Sequence, residues 1–303
     1  MLERIGTYAQ HQRLTTDMNK TLSNIATLQT QISSGNKAST FEGLNGQVEL
    51  FTGLQTKVNR ADTYVRNNSQ VISRLNTMDA SLTSLQELTT TFIGLTVGEI
   101  SPSEGVTNIV AQVENMLATV SSLLNNDLEG RYLFAGSKTD TRPVPTDLLA
   151  LNTGAPSQTP NDAYYRGDDV KLSTKGSDSL DITYGITAND SAFQELIAAM
   201  YTVINSQGQP NAVAYMQSAE NLAQSAFSRI ATLRADLGSN VEALENANDI
   251  QGGLILYWKG FSQEVASTDI AEASTQVAVQ ETIIQATFQT FAVINNLKLS
   301  DYL

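Results

Sequence analysis

Two apolar stripes with heptad spacing, one at each extremity, constrain what this 303-residue chain can fold into more than any other feature. Near the N-terminus His11, Leu14, Met18, Thr21, Ile25, Leu28 and Ile32 recur at alternating steps of three and four. Near the C-terminus Ile270, Ala273, Val277, Gln280, Ile284, Thr287, Phe291 and Ile294 do the same. Such steps average 3.5 residues and keep one face of an α-helix turned toward a partner helix along its length. Gly35 and Asn36 follow the first stripe as C-terminal caps do, since both tolerate the left-handed backbone that closes a helix. A chain with seams at its two ends is laid out to bring those ends together, and to offer them to neighbouring molecules.

Between the stripes the periodicity predicts more helix. After a glycine-containing loop at Phe41 to Gly46, Leu54, Val58, Ala61, Val65, Asn68, Ile72 and Leu75 form one register. The pattern changes phase near Met78 and continues through Leu82, Leu85, Phe92 and Leu95, which reads as a stutter in one long helix. A helix of about 50 residues spans roughly 75 Å, which predicts something elongated. Gly98 to Ser103, with Pro102 after Ser101, marks a break. A third helix carries Ile109, Val113, Met116, Leu117, Val120, Leu123 and Leu124 and is expected to end near Gly130. From about 130 to 190 prolines and glycines gather, and Arg131 to Phe134, Val170 to Ser173 and Leu180 to Tyr184 look like strands. Helix returns with Phe193, Leu196, Ile197, Met200 and Ile204. After Gly208 and Pro210 a long stretch carries Leu222, Phe227, Ile230, Leu233, Leu237, Val241 and Leu244, with Gly252 and Gly253 as its one obvious weak point.

The expected fold class is therefore mainly α with a small β-rich insertion, an elongated helical bundle or coiled coil formed by the N- and C-terminal segments. Five segments follow from the pattern. Residues 1–35 and 265–303 are coiled-coil assembly helices, 36–137 and 191–264 are the two halves of a helical core domain, and 138–190 is a β-rich outer domain.

Composition narrows the function. Lys and Arg number 18 against 31 Asp and Glu, a formal charge of −13 that repels phosphate backbones and anionic lipid. No cysteine is present, which removes disulfides, thiolate metal sites and cysteine nucleophiles. The first residues, MLERIGTYAQHQRL, lack the apolar stretch of a cleaved secretory signal, and no window is apolar enough for a membrane span. His11 is the single histidine, so a Ser-His-Asp triad or histidine zinc site would have to use it, and its place on the seam reads as an interface residue. Arg166-Gly167-Asp168 matches an adhesion tripeptide, but a turn between strands asks for Gly followed by Asp anyway. Glu242 with Glu245 and Asp168 with Asp169 have no calcium-loop spacing and read as solvated charge. The sequons at Asn67-Asn68-Ser69 and Asn189-Asp190-Ser191 need a secretory route that the N-terminus does not offer. The expected answer is no enzyme, no metal and no cofactor.

Three segments resemble the bacterial flagellin superfamily, and within it the hook-associated protein 3 family of hook-to-filament junction proteins. The first is Leu22-Ser23-Asn24-Ile25 through Gln31-Ile32-Ser33-Ser34-Gly35-Asn36-Lys37, a helix closed by a small-residue, glycine, basic turn; here Phe41-Glu42 replaces the acidic pair that commonly follows. The second is Gly130-Arg131-Tyr132-Leu133-Phe134-Ala135-Gly136, similar to the signature with which such proteins leave their helical core. Tyr165-Arg166-Gly167-Asp168 and Asp190-Ser191-Ala192-Phe193 resemble the strands and helix that follow. The third joins Asp269-Ile270-Ala271-Glu272-Ala273 and Gln280-Glu281-Thr282-Ile283-Ile284-Gln285-Ala286 to the tail Leu299-Ser300-Asp301-Tyr302-Leu303.

The resemblance implies a structural subunit of the flagellum, a junction between hook and filament, with a flagellin filament subunit as the alternative. It implies self-association into a ring, contact with hook-associated protein 1 and flagellin, a flagellar export chaperone, and an extracellular place reached through the flagellar type III apparatus. No nucleic acid and no membrane enter that list. The assembly interface is expected at Leu14, Met18, Ile25, Leu28 and Ile32 of the first stripe and Ile270, Val277, Ile284, Phe291 and Ile294 of the last, with Leu299, Tyr302 and Leu303. Between molecules, the polar seam residues Thr21, Gln280 and Thr287 would fix register. Two other readings remain: an enzyme sited in the β-rich insertion, which holds no histidine and no phosphate-cradling glycine loop, and a coiled-coil adhesin.

Overall fold

The computed structural model describes residues 2–38, 46–100 and 109–296. The expected loop at Phe41 to Asn45, the break at Pro102 and the tail residues Leu299, Tyr302 and Leu303 lie outside the described residues. Six α-helices are present among those described: α1 (Leu2–Ser34), α2 (Val48–Ile100), α3 (Val110–Leu124), α4 (Ser191–Ser206), α5 (Ala212–Ala266) and α6 (Ile270–Asn296). Four short strands make two antiparallel ladders, β1 (Asp127–Leu128) with β2 (Arg131–Tyr132) and β3 (Leu172–Ser177) with β4 (Leu180–Tyr184). The protein is mainly α with a small β region, as the periodicity indicates. By contact the chain divides into two compact units, Met1–Asn59 with Leu254–Leu303, and Arg60–Gly253.

In the central unit one dry core gathers the predicted seams. Leu75, Leu82, Leu85 and Phe92 of α2, Val113, Leu117, Val120 and Leu124 of α3, Phe193, Leu196 and Met200 of α4, and Ile230, Leu237 and Leu244 of α5 all belong to it. Phe134, Val144, Leu148, Tyr164, Ile182, Tyr184 and Ile186 join the same cluster, so the segment between α3 and α4 closes the helical core instead of standing off from it. Phe134 meets Phe193 edge to face, with ring centroids 6.2 Å apart. Side-chain ties fix the long helices. Arg234 of α5 donates through Nε to Asp79 of α2 at 2.8 Å and through a terminal nitrogen to Gln86 at 2.8 Å. Asn68 of α2, fully buried, donates to Asn248 of α5 at 2.9 Å and to the carbonyl of Gly176 at the β3 bulge at 3.1 Å. Asp190 caps α4, accepting from the Ala192 amide at 2.9 Å.

Ser and Thr are frequent on these helices without breaking them. Thr52, Thr56, Thr83, Thr90 and Thr91 each donate their hydroxyl to the carbonyl one turn back in their own helix.

Two boundaries differ from expectation. Helix α3 stops at Leu124, six residues before Gly130, where the Asn125 side chain accepts from the Val144 amide at 3.0 Å and donates back to the Ser121 hydroxyl at 3.3 Å. Gly130 instead makes the β1–β2 turn, at φ +75°. Helix α5 runs unbroken through Gly252 and Gly253, and the chain breaks at Ser267–Asp269. The signal for that break is a capping box: Asp269 accepts from the amides of Ala271 and Glu272 at 2.9 and 3.1 Å, with Glu272 at the matching third position.

Candidate functional site

The terminal unit pairs α1 with α6, seam to seam. Among the described side chains of α1 the least exposed are His11, Leu14, Met18, Thr21, Ile25, Leu28, Gln31 and Ile32, with Ile25 at 9% exposure. On α6 they are Ala273, Val277, Gln280, Ile284, Thr287 and Phe291. His11 and Phe291 meet edge-on with centroids 4.8 Å apart, so the one imidazole packs against an aromatic ring inside the pair. Of the expected interface residues, Leu14, Met18, Ile25, Leu28 and Ile32 thus look toward α6 of their own chain, and Val277, Ile284 and Phe291 look back. Ile270 is 52% exposed, the helix carries Ile294, and the tail lies outside the description. Thr21 and Thr287 spend their hydroxyls on the carbonyls of Asp17 and Ile283, at 3.0 and 2.8 Å, and make no bond across the pair.

A clasp closes the base of the pair. Gly35 leaves α1 at φ +71°, and Asn36 forms an isolated antiparallel bridge with Ser267, in the gap between α5 and α6. The Lys37 amide donates to the Ala266 carbonyl at 2.7 Å and the Thr268 amide to the Gly35 carbonyl at 2.9 Å. Gln31 Nε2 donates to the Lys37 carbonyl at 2.6 Å and Lys37 Nζ to the Val265 carbonyl at 3.2 Å. Beside the clasp lies an open groove of about 500 Å³ with Gln31, Lys37, Asp269, Glu272 and Gln276 on its walls. Among the described residues no group of His, Asp and Glu side chains converges as a metal site would.

What the pairing leaves uncovered on α1 and α6 is also apolar: Leu22, Val279, Ile283, Phe288 and Val293 are exposed. Val279, Ile283 and Val293 lie on the side of α6 away from its covered seam, by their spacing. Sequence reading missed this second stripe because valine and isoleucine scattered between Thr, Gln and Ala do not rise above the stronger seam.

The central unit explains the other quoted motifs as architecture. Gly136 sits at φ +71° against the backbone of Asp168, where a Cβ would collide, and Gly167 likewise abuts the Ala135 carbonyl and the Tyr165 phenol. Two loops 31 residues apart interlock there. Asp168 accepts from the Ser137 amide at 2.7 Å, the Ser137 hydroxyl at 2.5 Å and the Val170 amide at 3.2 Å. The Ser137 hydroxyl above all holds its carboxyl below the ordinary aspartate range. The Arg-Gly-Asp tripeptide is therefore part of this turn, with its carboxylate already engaged. Tyr165 donates to the Asp168 carbonyl at 2.6 Å, and burial pushes its phenol up to about 12. Tyr164, more deeply buried and donating to the Ala188 carbonyl at 2.7 Å, is pushed up further by burial and by nearby Asp162 and Asp190. Tyr201 donates to the Leu148 carbonyl at 2.5 Å and is pushed up to about 12, chiefly by burial. Each raised phenol is a neutral donor tying a loop to the core.

Known proteins resemble the chain at this level. The family described as the bacterial flagellin N-terminal helical region matches residues 5–139. The similarity to that family covers the first part of the chain and less than half of its length. Among solved structures, a protein described as a flagellar hook-associated protein from Vibrio parahaemolyticus superposes with a TM-score of 0.60 at 15% identity, over 73% of this chain and 97% of that one. FlgL of Bacillus cereus superposes with a TM-score of 0.50 at 15% identity, over 65% of this chain and 98% of that one. At such identities the likeness is one of fold. No curated protein sequence is significantly similar to the chain. No helix among the described residues is long and apolar enough to cross a membrane.

Proposed function

We propose that this chain is a structural subunit of the bacterial flagellum, the adaptor that joins the hook to the flagellin filament in a short ring. The observation that carries the proposal is the terminal unit. It combines a flagellin-type N-terminal segment with a helix pair that keeps apolar side chains exposed after its own seam has closed. Exposed apolar stripes of this kind favour side-by-side packing of helices from several molecules. The fold shared with a protein described as a flagellar hook-associated protein and with FlgL supports a structural role in the flagellum. Neighbours on either side are hook-associated protein 1 and flagellin. The chain reaches the cell exterior by flagellar type III export with a chaperone.

Two experiments decide it. In a strain lacking the wild-type gene product, the chain truncated after residue 264 leaves hooks bare of filament. Filaments on hooks at wild-type frequency defeat the proposal. Immunogold labelling of flagella then separates the junction from the alternative, a flagellin: a junction protein labels one band at the hook's distal end, and a filament subunit labels the whole filament.

A further inference from the structure

One cleft of the central unit is lined by cations that have no anion. Arg74 of α2 and Arg131 of β2 face it, with Met78, Leu133 and Leu172 as an apolar floor and Tyr132, Thr139 and Tyr184 as walls. Arg142 reaches the same rim, its Nε donating to the Tyr132 hydroxyl at 3.4 Å. Four of the five other arginines of the unit each hold a carboxylate: Arg60 with Asp178, Arg66 with Asp62, Arg229 with Glu195 and Arg234 with Asp79, while Arg166 holds none among the described residues. None of the described carboxylates comes within ion-pair distance of Arg74, Arg131 or Arg142. Of the acidic residues near in the chain, Asp127 accepts from the Gly130 amide, Asp140 accepts from the Thr141 hydroxyl, and Glu129 is exposed and makes no ion pair with Arg131. In a chain of net charge −13, three clustered and unpaired guanidinium groups stand out, because like charges held together without counter-charge repel one another.

The free volume of the cleft, about 20 Å³, limits what it takes. That is room for little more than one water-sized group, too small for a metabolite and enough for a carboxylate at the end of a side chain. Guanidinium groups bind carboxylates in a bidentate fork. A complementary surface exists on the same unit. Glu242, Glu245 and Asp249 follow at steps of three and four on α5, all exposed and without ion partners, on the side away from buried Leu237, Leu244 and Ala247.

We propose that the Arg74–Arg131 cleft receives a carboxylate from the Glu242–Glu245–Asp249 stripe of a second copy of this chain. The inference rests on the reading of the protein as a self-assembling subunit and names the side chains of one contact. Repeated head-to-tail, this contact generates rings or helical series; made reciprocally between two copies, it closes a two-fold dimer.

The test uses sedimentation velocity of the full chain over a range of protein concentration at low and high salt. Wild type associates at low salt, and added salt weakens association because the contact is electrostatic. The double variants R74E/R131E and E242R/E245R each weaken association roughly tenfold or more, and an equimolar mixture of the two regains it, since the reversed cleft now meets a reversed stripe. Circular dichroism confirms that both variants fold. Undiminished association of either folded variant overturns this contact while leaving self-assembly intact, as does failure of the mixture to recover. A wild-type chain that stays monomeric at every concentration and salt removes self-assembly, and this contact with it.

Discussion

The two units are built from the same kind of long helix and end in different states of packing. In the central unit Leu75, Leu82, Leu85, Phe92, Phe134, Phe193, Leu196 and Ile230 have no exposed surface. In the terminal unit the best-covered large side chains described, Leu54, Val58, Val265, Ile25 and Ile284, retain 5–9%. The difference follows from geometry. A helix surrounded by several neighbours buries more than one face, whereas each helix of a pair buries one stripe and leaves the rest to solvent. Most helical stability in proteins comes from such burial, so the central unit holds itself together and the terminal pair depends on its seam and clasp.

Four measurements test that contrast, in order of expected size. Phe193→Ala removes a ring that packs on Phe134 in the dry core and is expected to lower the unfolding free energy by about 3–5 kcal/mol in denaturant titration. A loss below about 1 kcal/mol means the central unit is looser than its burial implies. Gly136→Ala forces a Cβ into the Asp168 backbone at φ +71° and is expected to cost about 1–3 kcal/mol. Ala135→Gly, the neighbouring control, tests whether the effect belongs to position 136. Ile284→Ala at the terminal seam is expected to cost about 1–2 kcal/mol, because a half-open site relaxes after truncation. That loss appears as faster amide exchange confined to α1 and α6; equal acceleration in α3 and α4 unites the two units and breaks the contrast.

The smallest effect is alkaline. Tyr165 and Tyr201 titrate near 12 when folded, above the ordinary value of 10.0, so their neutral forms favour the folded chain. Their contribution is complete below pH 10 and drains away as pH rises through 12. Tyr201→Phe gives up the hydrogen bond to Leu148, about 1 kcal/mol at neutral pH, and flattens the loss of stability above pH 10. An unchanged alkaline slope sinks the assignment of that loss to Tyr201.

How legible this was in the sequence depended on the range of the forces involved. The seam of α1 could be read residue by residue, because heptad spacing is a local property and the covered face follows it. The break at Ser267–Asp269 was equally local, in the capping box of Asp269 and Glu272, but the two glycines at 252 and 253 drew attention away from it. Glycine within a helix costs about 1 kcal/mol against alanine, which a 55-residue helix with tertiary support absorbs. The interlock of Gly136 with Asp168 joins residues that only the fold brings together, so no spacing announces it. Buried Ala219, Ala223 and Ala226 were missed for a third reason: alanine fills a close helix contact without registering as apolar periodicity. The unpaired state of Arg74 and Arg131 was hidden too, since pairing is defined only once every carboxylate has a place.

The clasp at Asn36 and Ser267 bears on how load passes through the molecule. Both legs of the backbone are stitched together at one level, the Lys37 amide to Ala266 and the Thr268 amide to Gly35. A pull on either terminal helix is therefore divided between two covalent strands. Separating them along the chain direction strains the stitches simultaneously, and resistance then rises with their number in the way a sheared seam outlasts one peeled from its end.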